Sequence, residues 1–321
     1  MHGDGSEDTG TFVVLRRRVS LSEAPPRRRL WLRALIAGLN VQSSGVRKGA
    51  AGRRKRAAQH LRAALPGPTH VIGDLHGQLG VLEQLLEGAG LARGGAWSGG
   101  RARLLFLGDL FDRGPDGLGC LELIMRLQQG AAATGGWAEM LVGNHDLLLL
   151  AAHHFGDTPS GGPGETFRGD WKLNGGVDTD LAGLTAAQIV WLSTRPALLC
   201  AEGTLYLHGD TTLYENLGES VEAVNAAFGA LMAGRDADLW DALLEAFSEH
   251  EAFFGEGGAE RAGRLLRRFG GQRLVHAHTP ISKLTGQADA TVSAPLHYAG
   301  GLCTDIDHGL YRGGPGFVYR P

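Results

Sequence analysis

From Thr69 onward, short apolar runs of strand length alternate with amphipathic stretches of helical length, and this alternation constrains the fold more than any other feature. Strand-like Thr69 to Ile72 precedes helical Leu79 to Ala89, and strand-like Arg103 to Leu107 precedes helical Leu118 to Gln128. Strand-like Glu139 to Val142 then precedes helical Asp146 to Phe155. An apolar face that repeats every two residues and one that repeats every 3.6 are both buried when helices cover the faces of a sheet, which is α/β layering. A helical middle follows (Thr185 to Ser193, Val221 to Met232, Leu239 to His250), and the end is strand-rich, with runs at Leu205 to Leu207, Arg273 to Val275, Gly301 to Thr304 and Gly316 to Tyr319. The expectation is one α/β domain over residues 69–321, with the helical middle as an insertion or cap.

Composition narrows the class. A chain of 321 residues, 43% hydrophobic and 20% charged, can bury a sizeable core and is not disordered throughout. Its 51 glycines show no three-residue period, which excludes a collagen-like chain. Three widely spaced cysteines (Cys120, Cys200, Cys303) make neither a disulfide framework nor a zinc module and fit a reducing cytoplasm, the expected location. The longest apolar runs, such as Leu147 to Ala152, fall far short of the roughly 20 residues that cross a bilayer.

The net charge of -3 hides an asymmetry. Residues 1–68 carry +10 by count and the remainder -13. Arg16-Arg17-Arg18, Arg27-Arg28-Arg29 and Arg53-Arg54-Lys55-Arg56 interrupt every apolar patch of the first segment, and Pro25-Pro26 and Pro66-Gly67-Pro68 break it further. Leu30 to Leu39 makes a poor signal sequence because Arg33 lies inside it. Residues 1–68 are therefore expected to form a basic, disordered extension, with a targeting peptide or an arm touching nucleic acid or an anionic surface as the other readings.

Three motifs fall directly after predicted strands, where the loops of open α/β sheets gather ligands. They are Gly73-Asp74-Leu75-His76-Gly77, Gly108-Asp109-Leu110-Phe111-Asp112-Arg113-Gly114 and Gly143-Asn144-His145-Asp146. His208, in Leu207-His208-Gly209-Asp210, and His278, in His276-Ala277-His278-Thr279-Pro280, follow singly. Asp, Asn and His offer hard oxygen and borderline nitrogen donors, a set suited to Mn²⁺, Fe or Zn²⁺. Two such ions clamp a phosphoryl group and make hydroxide available near neutral pH, and a carboxylate must bridge them. Asp109, central in the order of ligands, is the natural bridge.

This ordered series resembles the calcineurin-like metallophosphoesterases, in the branch of phosphoprotein phosphatases and bacterial diadenosine tetraphosphatases, over residues 69–321. The resemblance implies a β-sandwich flanked by helices in four αββα layers, holding two divalent cations, manganese first and iron or zinc as alternatives. It implies that Asp74 and His76 hold the first cation, that Asp109 bridges, and that Asn144, His208 and His278 hold the second. It further implies that His145 protonates the leaving group with Asp112 paired to it, that Arg113 grips two phosphate oxygens, and that metal-activated hydroxide attacks phosphorus. Ala277 stands where bacterial members usually have Gly, so His276 competes with His278; Thr279-Pro280 favours His278. Phosphoprotein phosphatases use a second phosphate-binding arginine between the last two ligand histidines, and none of the six arginines there sits in a recognisable motif.

The substrate expected first is a phosphorylated protein of the serine/threonine type, with a dinucleoside polyphosphate as the alternative. A DNA nuclease is disfavoured because Asp112 stands where such nucleases usually carry histidine. A non-catalytic binding module is disfavoured because no expected ligand is missing. Outside the motifs, His153 and His154 read as ordinary helix histidines, Asp210 as a capping residue and Asp307-His308-Gly309 as structural. Trp171 and the loop Ser160 to Gly164 could line the cleft.

Overall fold

The computed structural model describes residues 67–321, so the basic extension expected over residues 1–68 lies, but for its last two positions, outside the described residues. In chain order come β1 (Thr69–Ile72), α1 (Leu79–Gly88), the short pair β2 (Ala92–Arg93) and β3 (Ala96–Trp97), β4 (Arg103–Phe106), α2 (Gly117–Thr134), β5 (Trp137–Met140) and α3 (Asn144–Phe155). Then follow α4 (Phe167–Leu173), α5 (Asp178–Gly183), α6 (Ala186–Leu192), β6 (Leu198–Ala201) and β7 (Thr204–Gly209). The last elements are α7 (Val221–Ala233), α8 (Ala237–Phe247), α9 (Gly258–Phe269), β8 (Arg273–Ala277), α10 (Ile281–Thr285), β9 (Leu296–Tyr298) and β10 (Cys303–Asp305).

Side chains alternate between two buried environments along each strand, and this is what builds the layers. One sheet has the order β1-β4-β5, all parallel; the other has the order β6-β7-β8-β10-β9, with β7, β8 and β10 mutually parallel and β6 and β9 antiparallel at its edges. Val71 and Leu105 from the first sheet meet Leu199, Tyr206 and Val275 from the second in an apolar layer between the sheets. The alternate residues Ile72, Leu104, Phe106 and Met140, and Leu198, Leu205 and Leu274, join the larger core beneath the helices. Helix α2 covers β5, while α7 lies against β6 and α9 against β8. The arrangement is the expected four-layer α/β sandwich. Its helical middle is spread over both outer layers: α4 and α8 pack on α3, and α7 packs on the second sheet.

Local sequence sets most element starts. Asp116, Thr166, Thr185, Ser220 and Asp236 each accept a backbone N–H at the first turn of the helix that follows. Helix α9 was not expected, although Ala262, Leu265, Leu266 and Phe269 form a three-and-four-spaced buried stripe between arginines. Two predicted strands shrink. Gly300 and Gly301 take positive φ, so the run predicted from Gly301 begins at Cys303. The run predicted over Gly316 to Tyr319 makes only one bridge, Tyr319 to Val71, because Gly316 also has positive φ.

Candidate metal centre

Parallel strands all present their C-terminal ends on one side, so the loops after β1, β4, β5, β8 and β10 converge with the end of β7. Hydrogen bonds lock the first three loops to one another. The Leu75 and His76 N–H groups donate to the Asp109 carbonyl at 3.0 and 2.9 Å. The Asp146 carboxylate, in the first turn of α3, accepts the N–H groups of Asp109 (3.0 Å), Leu110 (2.9 Å) and Gly143 (2.8 Å). The loops approach so closely that a Cβ on Gly143 would stand 2.1 Å from Asp109 Oδ1. Here glycine is a packing requirement.

His76, Asp109, Asp112, Arg113 and His278 all adopt positive φ, between 43° and 73°. Non-glycine residues held there cost about 1–3 kcal/mol each. The hydrogen bonds just described, together with Arg113 N–H to Gly175 O at 2.8 Å, oppose that strain. On β7 the ladder with β8 shifts register between Tyr206 and Gly209, a bulge that re-aims His208.

Two groups of donors result, His76 with Asp109 and His145, and Asp109 with His208 and His278, and the Asp109 carboxylate belongs to both. His76 donates Nδ1–H to the Phe111 carbonyl at 2.9 Å, which leaves Nε2 as a lone pair 3.8 Å from both Asp74 Oδ2 and Asp109 Oδ2. His208 donates Nδ1–H to the Leu107 carbonyl at 2.9 Å, and its Nε2 faces Asn144 Oδ1 at 3.0 Å and Asp109 Oδ1 at 3.4 Å. His278 Nδ1 lies 2.8 Å from the same Asn144 oxygen, and its Nε2 is buried without a partner. Lone pairs that converge on lone pairs are the electrostatic signature of a cation site. The residues fit two divalent cations sharing Asp109.

Electrostatics agree. Burial pushes the Asp109 carboxyl up to about 7 and Asp74 well above the usual range, where Asp307 and Asp109 add repulsion. Burial also holds His208 down at about 3, and His76 and His278 well below their ordinary value. Neutral imidazoles and crowded carboxylates are the state that a divalent cation stabilises.

Beside the donors stands a relay. His145 Nδ1 lies 2.7 Å from Asp112 Oδ2, and the buried Trp171 indole on α4 donates to Asp112 Oδ1 at 2.7 Å. Trp171, expected to line the cleft, is instead buried and buttresses Asp112. The Arg113 guanidinium donates to His76 Nε2 (2.9 Å) and to His145 Nε2 (2.8 Å) and lies 4.3 Å over the Tyr311 ring. Burial first, then Arg113, holds the His145 imidazole well below its usual value.

Every residue expected at the site from sequence (Asp74, His76, Asp109, Asp112, Arg113, Asn144, His145, His208, His278) is therefore gathered here. The competitor His276 points elsewhere, its Nε2 2.6 Å from the Tyr298 hydroxyl. His153 and His154 sit in the last turn of α3, His154 against Trp240. Asp210 accepts the Thr279 hydroxyl at 2.7 Å. The Ser160–Gly164 loop is tied to Asp170 on α4 and Asp241 on α8. Sequence reading missed Asp146 and Tyr311 and placed Trp171 in the cleft lining instead of against Asp112; only the Asp at the third position of α3 carried a readable capping signal.

The two-sheet sandwich collects carboxylate, amide and imidazole donors around one shared aspartate, an arrangement suited to divalent cations. The calcineurin-like phosphoesterase family profile matches residues 67–282, and the chain belongs to that family. A protein of Ralstonia nicotianae named symmetrical bis(5'-nucleosyl)-tetraphosphatase is 31% identical over 161 residues, 50% of this chain and 47% of that protein. One of the same name from Actinobacillus pleuropneumoniae is 28% identical over 214 residues, 65% of this chain and 69% of that protein. The chain thus spans about half the length of the first relative. Among solved structures, a cold-active protein-tyrosine phosphatase of a psychrophilic Shewanella shares the fold with a TM-score of 0.56 at 21% identity, over 77% of this chain and 72% of that one. No helix among the described residues is long and apolar enough to cross a membrane.

Proposed function

We propose that the chain is a two-metal phosphoester hydrolase whose substrate is a dinucleoside polyphosphate. The observation that carries the chemistry is the Asp109 carboxylate shared between two groups of convergent donors. The substrate class rests on the tetraphosphatase relatives. The Asp112-Arg113 pair fits a phosphoprotein and a dinucleoside polyphosphate alike, since either substrate presents a phosphate to a guanidinium.

Asp74, His76 and Asp109 would hold one cation, and Asp109, Asn144, His208 and His278 the other, with manganese, iron or zinc all compatible with the donors. Bound there, the cations supply Lewis acidity toward phosphoryl oxygens and acidify water. Arg113 would exchange its two histidine nitrogens for two phosphate oxygens, a bidentate grip that fixes the phosphoryl group. That exchange removes a cation from His145, and the phosphate adds an anion, so both changes raise the imidazole's affinity for a proton. His145, charged and held by Asp112, then delivers its Nε2 proton to the leaving oxygen as the phosphorus–oxygen bond breaks.

The test is hydrolysis of p-nitrophenyl phosphate, diadenosine tetraphosphate and a phosphoserine peptide by wild type and Asp109→Asn, after chelation and with Mn²⁺ restored. Metal-dependent turnover that the substitution abolishes is expected, with the dinucleotide preferred over a phosphopeptide. Full activity in Asp109→Asn would overturn the two-metal reading, and a phosphopeptide preference would overturn the substrate.

A further inference from the structure

We propose that Arg312 and Tyr311, on the loop after β10, form with Arg113 a second phosphate subsite, which takes the phosphate adjoining the one cleaved. This deepens the polyphosphate reading and rests on it for its biological substrate.

Five of the six arginines between His208 and His278 make their partners away from the metal centre. Arg261 bonds to the Ala252 and Glu256 carbonyls, Arg264 pairs with Glu215 and Glu260, Arg268 bonds to the Gly218 carbonyl and Glu219, Arg235 to carbonyls at the end of α7, and Arg273 to Thr204. A second guanidinium arrives from beyond the last histidine instead. The half-buried Tyr311 ring stands edge-on to His76 with centroids 4.8 Å apart, so it forms a wall of the cleft. Arg113 Cζ lies 4.3 Å from that ring and Arg312 Cζ 5.9 Å from it. The two guanidinium carbons are therefore within about 10 Å of each other, both beside one aromatic ring.

Arg312 is also held in place. Asp289 Oδ1 accepts its Nε–H at 2.8 Å and also accepts the Ser282 hydroxyl, while the arginine side chain stays 47% exposed. The Asp289 contact at Nε, together with the Tyr311 side chain acting on the same guanidinium, orients the planar fork, whose exposed face can take an anion. Gly309 and Gly313, both left-handed, bracket the turn that carries Leu310–Arg312. Asp307, at the foot of this loop, feels both charges: burial raises its carboxyl to about 6, and Arg113 and Arg312 each act against that rise. A phosphomonoester needs one such grip. A polyphosphate carries anionic oxygens on consecutive phosphorus atoms and can use both.

The probes are methylphosphonate and methylenediphosphonate, one and two phosphorus atoms with no hydrolysable link. Their binding to the full-length Mn²⁺-loaded protein is measured by titration calorimetry for wild type, Arg312→Gln and Arg312→Lys. The glutamine variant is expected to weaken methylenediphosphonate about tenfold and methylphosphonate less than twofold, with lysine recovering part of the loss. Equal effects on both probes, or none on either, overturn the subsite. Failure of wild type to cleave diadenosine tetraphosphate would remove the substrate reading alone, because the differential between the probes does not depend on turnover.

Discussion

Replacing Trp171 by Phe tests how the proposed acid is held. The indole N–H is 2.7 Å from Asp112 Oδ1, and both side chains are fully buried. A hydrogen bond to an ionised group contributes about 1.5–3 kcal/mol, and a buried oxygen left without a partner loses all of it. The loss falls on the charged form, so it raises the Asp112 pKa by roughly one to two units, at about 1.36 kcal/mol per unit. Burial already pushes that carboxyl up, so Trp171→Phe tips it toward the neutral acid and His145 loses its counter-ion. The expected result is a fall in kcat of about 10- to 100-fold, with metal content and KM unchanged. The fall should be larger for phenyl phosphate than for p-nitrophenyl phosphate, whose leaving group needs less help from an acid. The smaller ring also leaves a cavity worth about 1–2 kcal/mol of stability, read separately by urea unfolding. In the double variant with His145→Ala, kcat should be no lower than in His145→Ala alone, since both act through one proton. Multiplicative losses, or a Trp171→Phe enzyme that keeps more than half its kcat, would refute the reasoning.

Three further outcomes are expected. Gly143→Ala drives a methyl to within 2.1 Å of Asp109 Oδ1, so it should cost about 3 kcal/mol or more in denaturant stability and abolish tight Mn²⁺ binding by calorimetry. Metal removal by chelation should lower the melting temperature by roughly 8–16 °C, because a ligand present at 1,000 times its Kd contributes about 4 kcal/mol and each kcal/mol shifts Tm by about 2–4 °C at this size; an unchanged Tm would count against a structural metal contribution. His308, buried against Phe317 with neither ring nitrogen bonded, is held down at about 4 by burial. The unfolded chain binds the extra proton between that value and about 6.5, so stability falls as pH drops through the window, by about 2 kcal/mol at pH 5. His308→Leu should flatten that part of the stability profile relative to wild type, as measured by unfolding at pH 7 and pH 5.

The chain order of Asp74, His76, Asp109, Asn144, His208 and His278 was legible because each follows an apolar strand-length run, and parallel strands must bring such loops to one edge. The layering was legible for the same reason, since period-two and period-3.6 apolar patterns are local. The buried stripe of helix α9, Ala262, Leu265, Leu266 and Phe269, is an equally local pattern. The rest depends on contacts between distant residues. Trp171 reaches Asp112 across 59 positions, and nothing around a tryptophan in a short helix announces that its N–H will meet a carboxylate. Arg312 and Arg113 come together only because β10 returns beside β8 and sets its loop against the first sheet's. For His278 over His276, which Thr279-Pro280 already favoured, the fold adds the direction of each ring: one turns toward Asn144, the other back to Tyr298. Sequence by itself determined which donors the chain carries and in what order, because those follow from local pattern. The tertiary structure alone decided which lone pairs converge, which strained backbones are held and which arginine comes beside Arg113, because these depend on side-chain directions set by packing.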